Sequence, residues 1–292
     1  MKIFRSLAAG ASALLLVSGL AACSTGPSNG SSNSGGSTPA ADCKPEYEFK
    51  TLKEGVLQVA GMNELPSFLG NNASGPFQGF SVELMEQFAK QNCLTIEWTP
   101  GTGAATQLLA ADGKVDVWVG IIIASAKRAE VMALQEHQLY FEFAGIASKK
   151  SDGFSSVEDL KGRQVAAVTG SNYVPSMQEA LGEANVKLYQ SSDEAFQDLK
   201  NGRVEAVITP SSPQAYWVSQ NAADTLVSKI IEKDDKYPVL TQAYKVVWPV
   251  NKSNNDLVSA LSSYFKTVND DGQLKKLLKD KGITDELHFT GR

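Results

Sequence analysis

From Lys53 onward the chain alternates two hydrophobic rhythms. Short apolar runs at 56–60, 94–98, 115–123, 144–148, 164–168, 204–208 and 244–248 predict β-strands, and the third is almost continuously apolar, as strands buried on both faces are. Between the first two, Phe80, Leu84 and Phe88 fall four residues apart with Val82, Met85 and Ala89 beside them, which predicts a helix with one face on a core. Ser81 stands where a hydroxyl can cap that helix. Ser156, Ser192 and Asp256 stand likewise before later helical segments. Strands alternating with helices imply parallel α/β sheets. The sequence contains no repeat of solenoid period.

Ahead of this body the pattern changes twice. Lys2 and Arg5 precede an apolar stretch from Leu7 to Leu20, too short for a permanent membrane span, so residues 1–22 read as a secretory signal. The stretch ends in Leu20-Ala21-Ala22-Cys23, which resembles the lipobox of bacterial lipoproteins. That resemblance implies a diacylglyceryl group on Cys23 and a chain anchored by two acyl tails. The alternative is an ordinary cleaved signal with an incidental cysteine. From Ser24 to Ala41 there is no large apolar side chain to bury, so residues 23–42 are expected to form a flexible tether with a reach on the order of 20 Å.

The rest, about 250 residues, suffices for one large domain or two modest ones. No second apolar stretch of membrane length follows. A formal charge of -5 without basic clusters argues against nucleic acid as a partner. With Cys23 assigned to lipid, Cys43 and Cys93 remain as an even pair in an oxidising compartment and are predicted to be bonded; the alternative is two buried thiols. The only histidines are His137 and His288. No Ser/His/Asp arrangement, metal-ligand spacing or phosphate loop is visible, so neither cofactor nor metal is expected.

Six segments in order carry a resemblance. They are Gly79-Phe80 with Val82 and Leu84, Gly113-Lys114-Val115-Asp116-Val117, Ser156-Val157-Glu158-Asp159-Leu160, the adjoining Lys161-Gly162-Arg163-Gln164-Val165, Asn201-Gly202-Arg203-Val204-Glu205-Ala206-Val207, and Asp271-Gly272-Gln273-Leu274. Together they resemble the bacterial extracellular solute-binding proteins of family 3, the polar amino-acid receptors of ABC importers. The resemblance implies a periplasmic-binding-protein-like α/β fold: two Rossmann-like lobes, a two-strand hinge, and a ligand cleft that closes by hinge motion. Lobe one would be residues 50–147 plus 246–292 and lobe two residues 151–240, with hinge strands near 147–150 and 242–244.

The same resemblance implies ligand contacts. Arg128, twelve residues after Asp116, corresponds to the arginine that grips a ligand carboxylate, a task its planar fork performs with two parallel hydrogen bonds. Ser125 is either a ligand contact or the cap of the following helix. Ser171 and Asn172, in the turn Thr169-Gly170-Ser171-Asn172-Tyr173, would face Arg128 from lobe two. Tyr140 and Tyr244 are the favoured cleft aromatics among Trp118, Tyr140, Phe141, Tyr173, Tyr216, Trp217 and Tyr244. Other positions depart from the family. Ile121 and Ile123 stand where small or hydroxylic residues meet the ligand amine, Pro210 replaces the amine-binding aspartate, and aromatic positions fall on Gly103 and on Glu64 or Leu65. Three readings follow: Glu64 supplies the lost negative charge, or the ligand lacks an α-amine, or the isoleucines are simply buried strand.

The expected function is a non-enzymatic, monomeric receptor that captures a small polar solute, an amino acid or related amine or carboxylate, for an ABC permease. It would be lipid-anchored on the outer face of the bacterial cytoplasmic membrane. The alternatives are a dehydratase-like enzyme on the same fold and a sensor or surface interaction lipoprotein without a transport role.

Overall fold

The computed structural model of the chain describes residues 42–292. The expected signal, the lipidation of Cys23 and the tether up to residue 41 lie outside the described residues. No helix among the described residues is long and apolar enough to cross a membrane.

In chain order the first third forms β1 (Val56–Met62), β2 (Leu69–Gly70), β3 (Phe77–Gln78), α1 (Phe80–Gln91), β4 (Thr95–Gly101), α2 (Gly103–Ala111), β5 (Val117–Val119), α3 (Ala126–Val131) and β6 (Met132–Ala133). Next come β7 (Phe141–Glu142), β8 (Ala144–Lys149), β9 (Val165–Val168), α4 (Val174–Leu181), β10 (Val186–Tyr189), α5 (Ser192–Lys200), β11 (Ala206–Pro210), α6 (Ser211–Asn221), β12 (Leu226–Ile230), α7 (Pro238–Thr241) and β13 (Tyr244–Lys245). The chain ends with β14 (Val250–Asn251), α8 (Asn255–Asp270), α9 (Gln273–Asp280) and α10 (Leu287–Thr290).

Two five-stranded sheets organise these elements into two α/β lobes, with strand orders β4-β1-β5-β14-β6 and β10-β9-β11-β8-β12. In the first, β1 is an inner strand parallel to both neighbours, Val59 lying opposite Trp98 on one side and Val117 on the other. In the second, β9 is parallel to β10 and β11, while β8 is antiparallel to β11 and β12. The antiparallel pair β7 and β13 carries the chain from one sheet to the other and back.

The outward crossing therefore lies at residues 141–142, not at 147–150. Residues 147–149 of the expected hinge instead end β8 (Ala144–Lys149), a mostly small and apolar strand paired on both edges inside the second sheet. The long strand expected over 115–123 shortens to Val117–Val119, because Gly120 adopts a φ of 154° and Ile123 makes only an isolated bridge to Val246.

Helix starts also differ from expectation in instructive ways. At α1 the N-cap is Gly79, with φ 120° and no side-chain cap. A Cβ there would fall 2.1 Å from the Ser67 carbonyl oxygen, so only glycine lets the loop approach this closely. Ser81 is buried instead, its Oγ 2.7 Å from that of Ser67. The caps of α5 and α8 are Ser191 and Asn254 rather than Ser192 and Asp256. Ser156 does accept from the Asp159 amide, at 3.2 Å.

One core joins the first sheet to α1 and α8 through Leu57, Val59, Phe80, Phe88, Trp248 and Phe265. Tyr264 tilts its ring against Phe88, with centroids 5.3 Å apart, and donates to the Leu84 carbonyl at 2.8 Å, fixing the C-terminal helices to the lobe. Two further clusters cover the second sheet, one around Ile146, Val165 and Ile208, the other around Phe196, Leu199 and Val207. A disulfide links Cys43 and Cys93, with Cα atoms 5.8 Å apart, tying the segment before β1 to the turn after α1. Because it closes a loop of 50 residues, replacing both cysteines by serine should lower the unfolding free energy by about 2–4 kcal/mol in chemical denaturation.

Candidate functional site

The loop after β1 is held rigid by its own hydrogen bonds. The Asn63 side chain accepts from the Gly70 amide at 2.9 Å and donates to the Gly70 carbonyl at 3.1 Å, while the Glu64 amide donates to the Phe68 carbonyl at 2.8 Å. This loop forms one wall of a cavity of about 550 Å³ between the lobes. The opposite wall comes from the end of β11 and from α5 and α6, at Asp193, Phe196, Tyr216 and Trp217. Phe196 and Trp217 stack with centroids 4.4 Å apart, and Trp217 Nε1 donates to Asp193 Oδ1 at 2.7 Å, which fixes the indole plane. The buried Gln214 amide contributes to the floor and is bonded to the Gly145 and Val207 carbonyls and to Thr209 Oγ1. Such a cleft, at the loops following parallel strands, is where open α/β folds place ligands.

Glu64 is half-buried, and among the described residues no other side chain bonds to its carboxylate. Burial first, and then the nearby Glu142 carboxylate, push its pKa up to about 7. Glu142 is wholly buried in the crossing strand β7, where it accepts from Ser211 Oγ at 2.5 Å, the Ser212 amide at 3.0 Å, the Phe143 amide at 3.1 Å and the Ser212 hydroxyl. It thus caps the N-terminus of α6 from another element, where exposed amides and the helix dipole favour an anion.

Tyr140 belongs to this buried assembly and does not line the cavity: its hydroxyl lies 3.0 Å from Ser212 Oγ and 3.4 Å from Glu142 Oε2. His288 completes it from α10, with Nε2 3.4 Å from Ser211 Oγ and Nδ1 2.8 Å from the Phe141 carbonyl. The arrangement brings Ser, His and Glu together, but the serine proton goes to the glutamate and the histidine is tied to a backbone oxygen. All three are buried, so the set fastens the crossing and offers no exposed nucleophile.

The remaining sequence-derived candidates do not line this cavity either. Arg128 lies half-buried on α3, its Nη1 donating to the Ile123 carbonyl at 2.5 Å and its guanidinium 5.4 Å from the Trp118 ring centroid. No carboxylate pairs with it among the described residues, and burial lowers its pKa. Ser125 caps α3, accepting from the Arg128 amide at 3.3 Å. Ser171 Oγ accepts from the Tyr173 amide at 3.3 Å, and Asn172 is exposed beside it. Tyr244 donates to the Val239 carbonyl at 2.8 Å, with its ring 6.4 Å from that of Tyr173. The Tyr173 hydroxyl is buried without a hydrogen-bond partner.

Of the positions that depart from the family pattern, Ile121 is buried strand-end packing, whereas Pro210 and Glu64 both face the cavity. Sequence reasoning missed Asp193 and Glu142. Asp193 reads as a first-turn helix acid, and its only further signal is that its helix, α5, follows β10 after a short turn at the mouth of a parallel sheet. Glu142 carries no local signal, since its partners stand about 70 residues away.

A carboxyl whose folded pKa lies above its unfolded value of 4.5 keeps its proton longer in the folded state, so stability is lost as pH rises from about 4.5 through 7. Glu64→Gln should therefore match the parent near pH 4 and exceed it near pH 8, by on the order of 1–2 kcal/mol in denaturant titrations. Glu142→Gln, which leaves donors facing a donor, should cost about 1–3 kcal/mol at neutral pH by the same measurement.

The sequence model for bacterial extracellular solute-binding proteins, family 3, matches residues 57–280. The L-cystine-binding protein TcyJ of Escherichia coli (strain K12) is 25% identical over 233 residues, covering 78% of this chain and 83% of that protein. The glutamine-binding protein GlnH of an ABC transporter of Bacillus subtilis (strain 168) is 26% identical over 267 residues, covering 89% of this chain and 90% of that protein. Among solved structures, the ancestral cationic amino acid solute-binding protein AncCDT-1 superposes with a TM-score of 0.66 at 22% identity, covering 78% of this chain and 96% of the other. The GluR0 ligand-binding core in complex with L-glutamate gives 0.63 at 17% identity, covering 78% and 98%.

Proposed function

The chain belongs to the bacterial extracellular solute-binding proteins, family 3, and on that premise we propose that it captures a small polar solute, an amino acid or a related amine or carboxylate, and delivers it to an ABC permease. The observation that carries this reading is the cavity between the lobes, walled by a rigid loop on one side and by α5 and α6 on the other. Its volume of about 550 Å³ suits a small metabolite. The β7–β13 crossing supplies a short two-strand connection about which the lobes would close over the bound solute.

Arg128 is the proposed anchor for a ligand carboxylate on closure, since its guanidinium has no carboxylate partner among the described residues, with Ser125, Ser171 and Asn172 contributing hydroxyl, amide and backbone donors. Tyr140 and Tyr244 act from behind the cleft, the first through Glu142 and the second beside Tyr173. The proposed working form is a monomer attached through lipid on Cys23 to the outer face of the cytoplasmic membrane, with a tether that lets the body reach its permease.

A binding role without catalysis fits the placement of the histidines: His288 is buried behind the crossing, and exposed His137 does not line the cavity. The test is a thermal-shift screen of the purified protein against amino acids, polyamines and organic acids, followed by calorimetry on the hits. A true ligand raises the melting temperature with concentration. Arg128→Ala should weaken any carboxylate-bearing hit by at least about tenfold, roughly 1.4 kcal/mol. Product formed from a bound solute would overturn the receptor reading.

A further inference from the structure

The charge inventory of the cavity is one-sided. Among the described residues its charged lining is Glu64 from the first lobe and Asp193 from the second, with no lysine, arginine or histidine. The two acids differ in their engagement. Asp193 is occupied by the Trp217 Nε1 donor, so it serves to set the indole face. Among the described residues Glu64 has no side-chain partner, and the groups whose fields reach it or its surroundings, Glu142 on β7, Tyr140 before it and Tyr173 ahead of α4, offer no positive charge. A half-buried carboxylate near a second one and without a counter-charge attracts a cation. The Trp217 ring, backed by Phe196, adds a flat π-surface in the same cavity, on which an alkylammonium or guanidinium group gains further attraction.

We propose that the solute is an organic cation whose ammonium or guanidinium group docks on Glu64, while its body lies on the Trp217 indole that Asp193 holds in place. This rests on the receptor reading above and narrows its solute class. Arg128 does not line this cavity, so cation capture there does not require a carboxylate on the ligand. Binding is coupled to the Glu64 proton: the cation meets the ionised carboxylate, and affinity falls as the carboxylate protonates.

The experiment is isothermal titration calorimetry on the full-length chain with arginine, lysine and putrescine against glutamine, glutamate and malate, near pH 8 and near pH 5.5. The cations should bind at least about tenfold more tightly than the neutral and anionic solutes, and should lose at least about tenfold in affinity at the lower pH. Glu64→Gln should remove that pH dependence and weaken the cations by at least about tenfold; Trp217→Leu, a second variant away from Glu64, should weaken them about threefold to tenfold. Tightest binding by glutamine, glutamate or malate would overturn this inference and leave the receptor reading intact. So would cation affinity within twofold of the parent in Glu64→Gln. Absence of heat and of thermal shift with every solute class would overturn both.

Discussion

A carboxylate without a cation stands at the junction on which the two-lobed architecture depends. Glu142 lies wholly buried in the first crossing strand, where amides and hydroxyls from α6 and β7 do the work a counter-ion would otherwise do. Its geometry fixes where the chain leaves one sheet and where α6 of the other begins. Tyr140, Ser212 and His288 are drawn into the same assembly, so the last helix of the chain reaches back to the crossing it follows by about 140 residues. A buried, fully bonded polar cluster tolerates few alternative arrangements, and it gives the pivot a defined position.

That pivot also shapes the electrostatics of the cleft. Burial first, and then the Glu142 carboxyl nearby, raise the pKa of Glu64 to about 7. The crossing and the cavity are thus coupled through space: a carboxylate that fastens the crossing also tunes one that lines the cavity. Trp217 and Asp193 answer from the other lobe on a helix pair whose position α6 shares with the pivot itself.

The motifs that identify the family serve mostly to build it. Asp116 accepts from the Leu52 and Gln58 amides at 2.8 Å each and secures the start of β1. Asp159 gathers the Ser155 and Ser156 amides, Arg163 pairs with Glu205 at 2.7 Å across β9 and β11, and Asp198 holds Lys187, Tyr189 and Arg203 around α5. None of these touches the cavity. Such motifs therefore transmit the fold faithfully while leaving the identity of the solute open.

The sequence by itself determined the α/β class, the helix face of Phe80, Leu84 and Phe88, the pairing of Cys43 with Cys93 and the family, because periodicity, cysteine parity and turn motifs are local or additive signals. It also offered Glu64 as one of three readings of the departures from the family pattern. Only the tertiary structure decided that the crossing lies at 141–142, that Tyr140 and Tyr244 stand outside the cavity, and that Asp193 and Trp217 share its far wall. The reason is physical. Burial, a missing counter-charge and an indole held by a carboxylate 24 residues earlier are properties of what the folded chain brings together, and no window of sequence contains both partners with their surroundings.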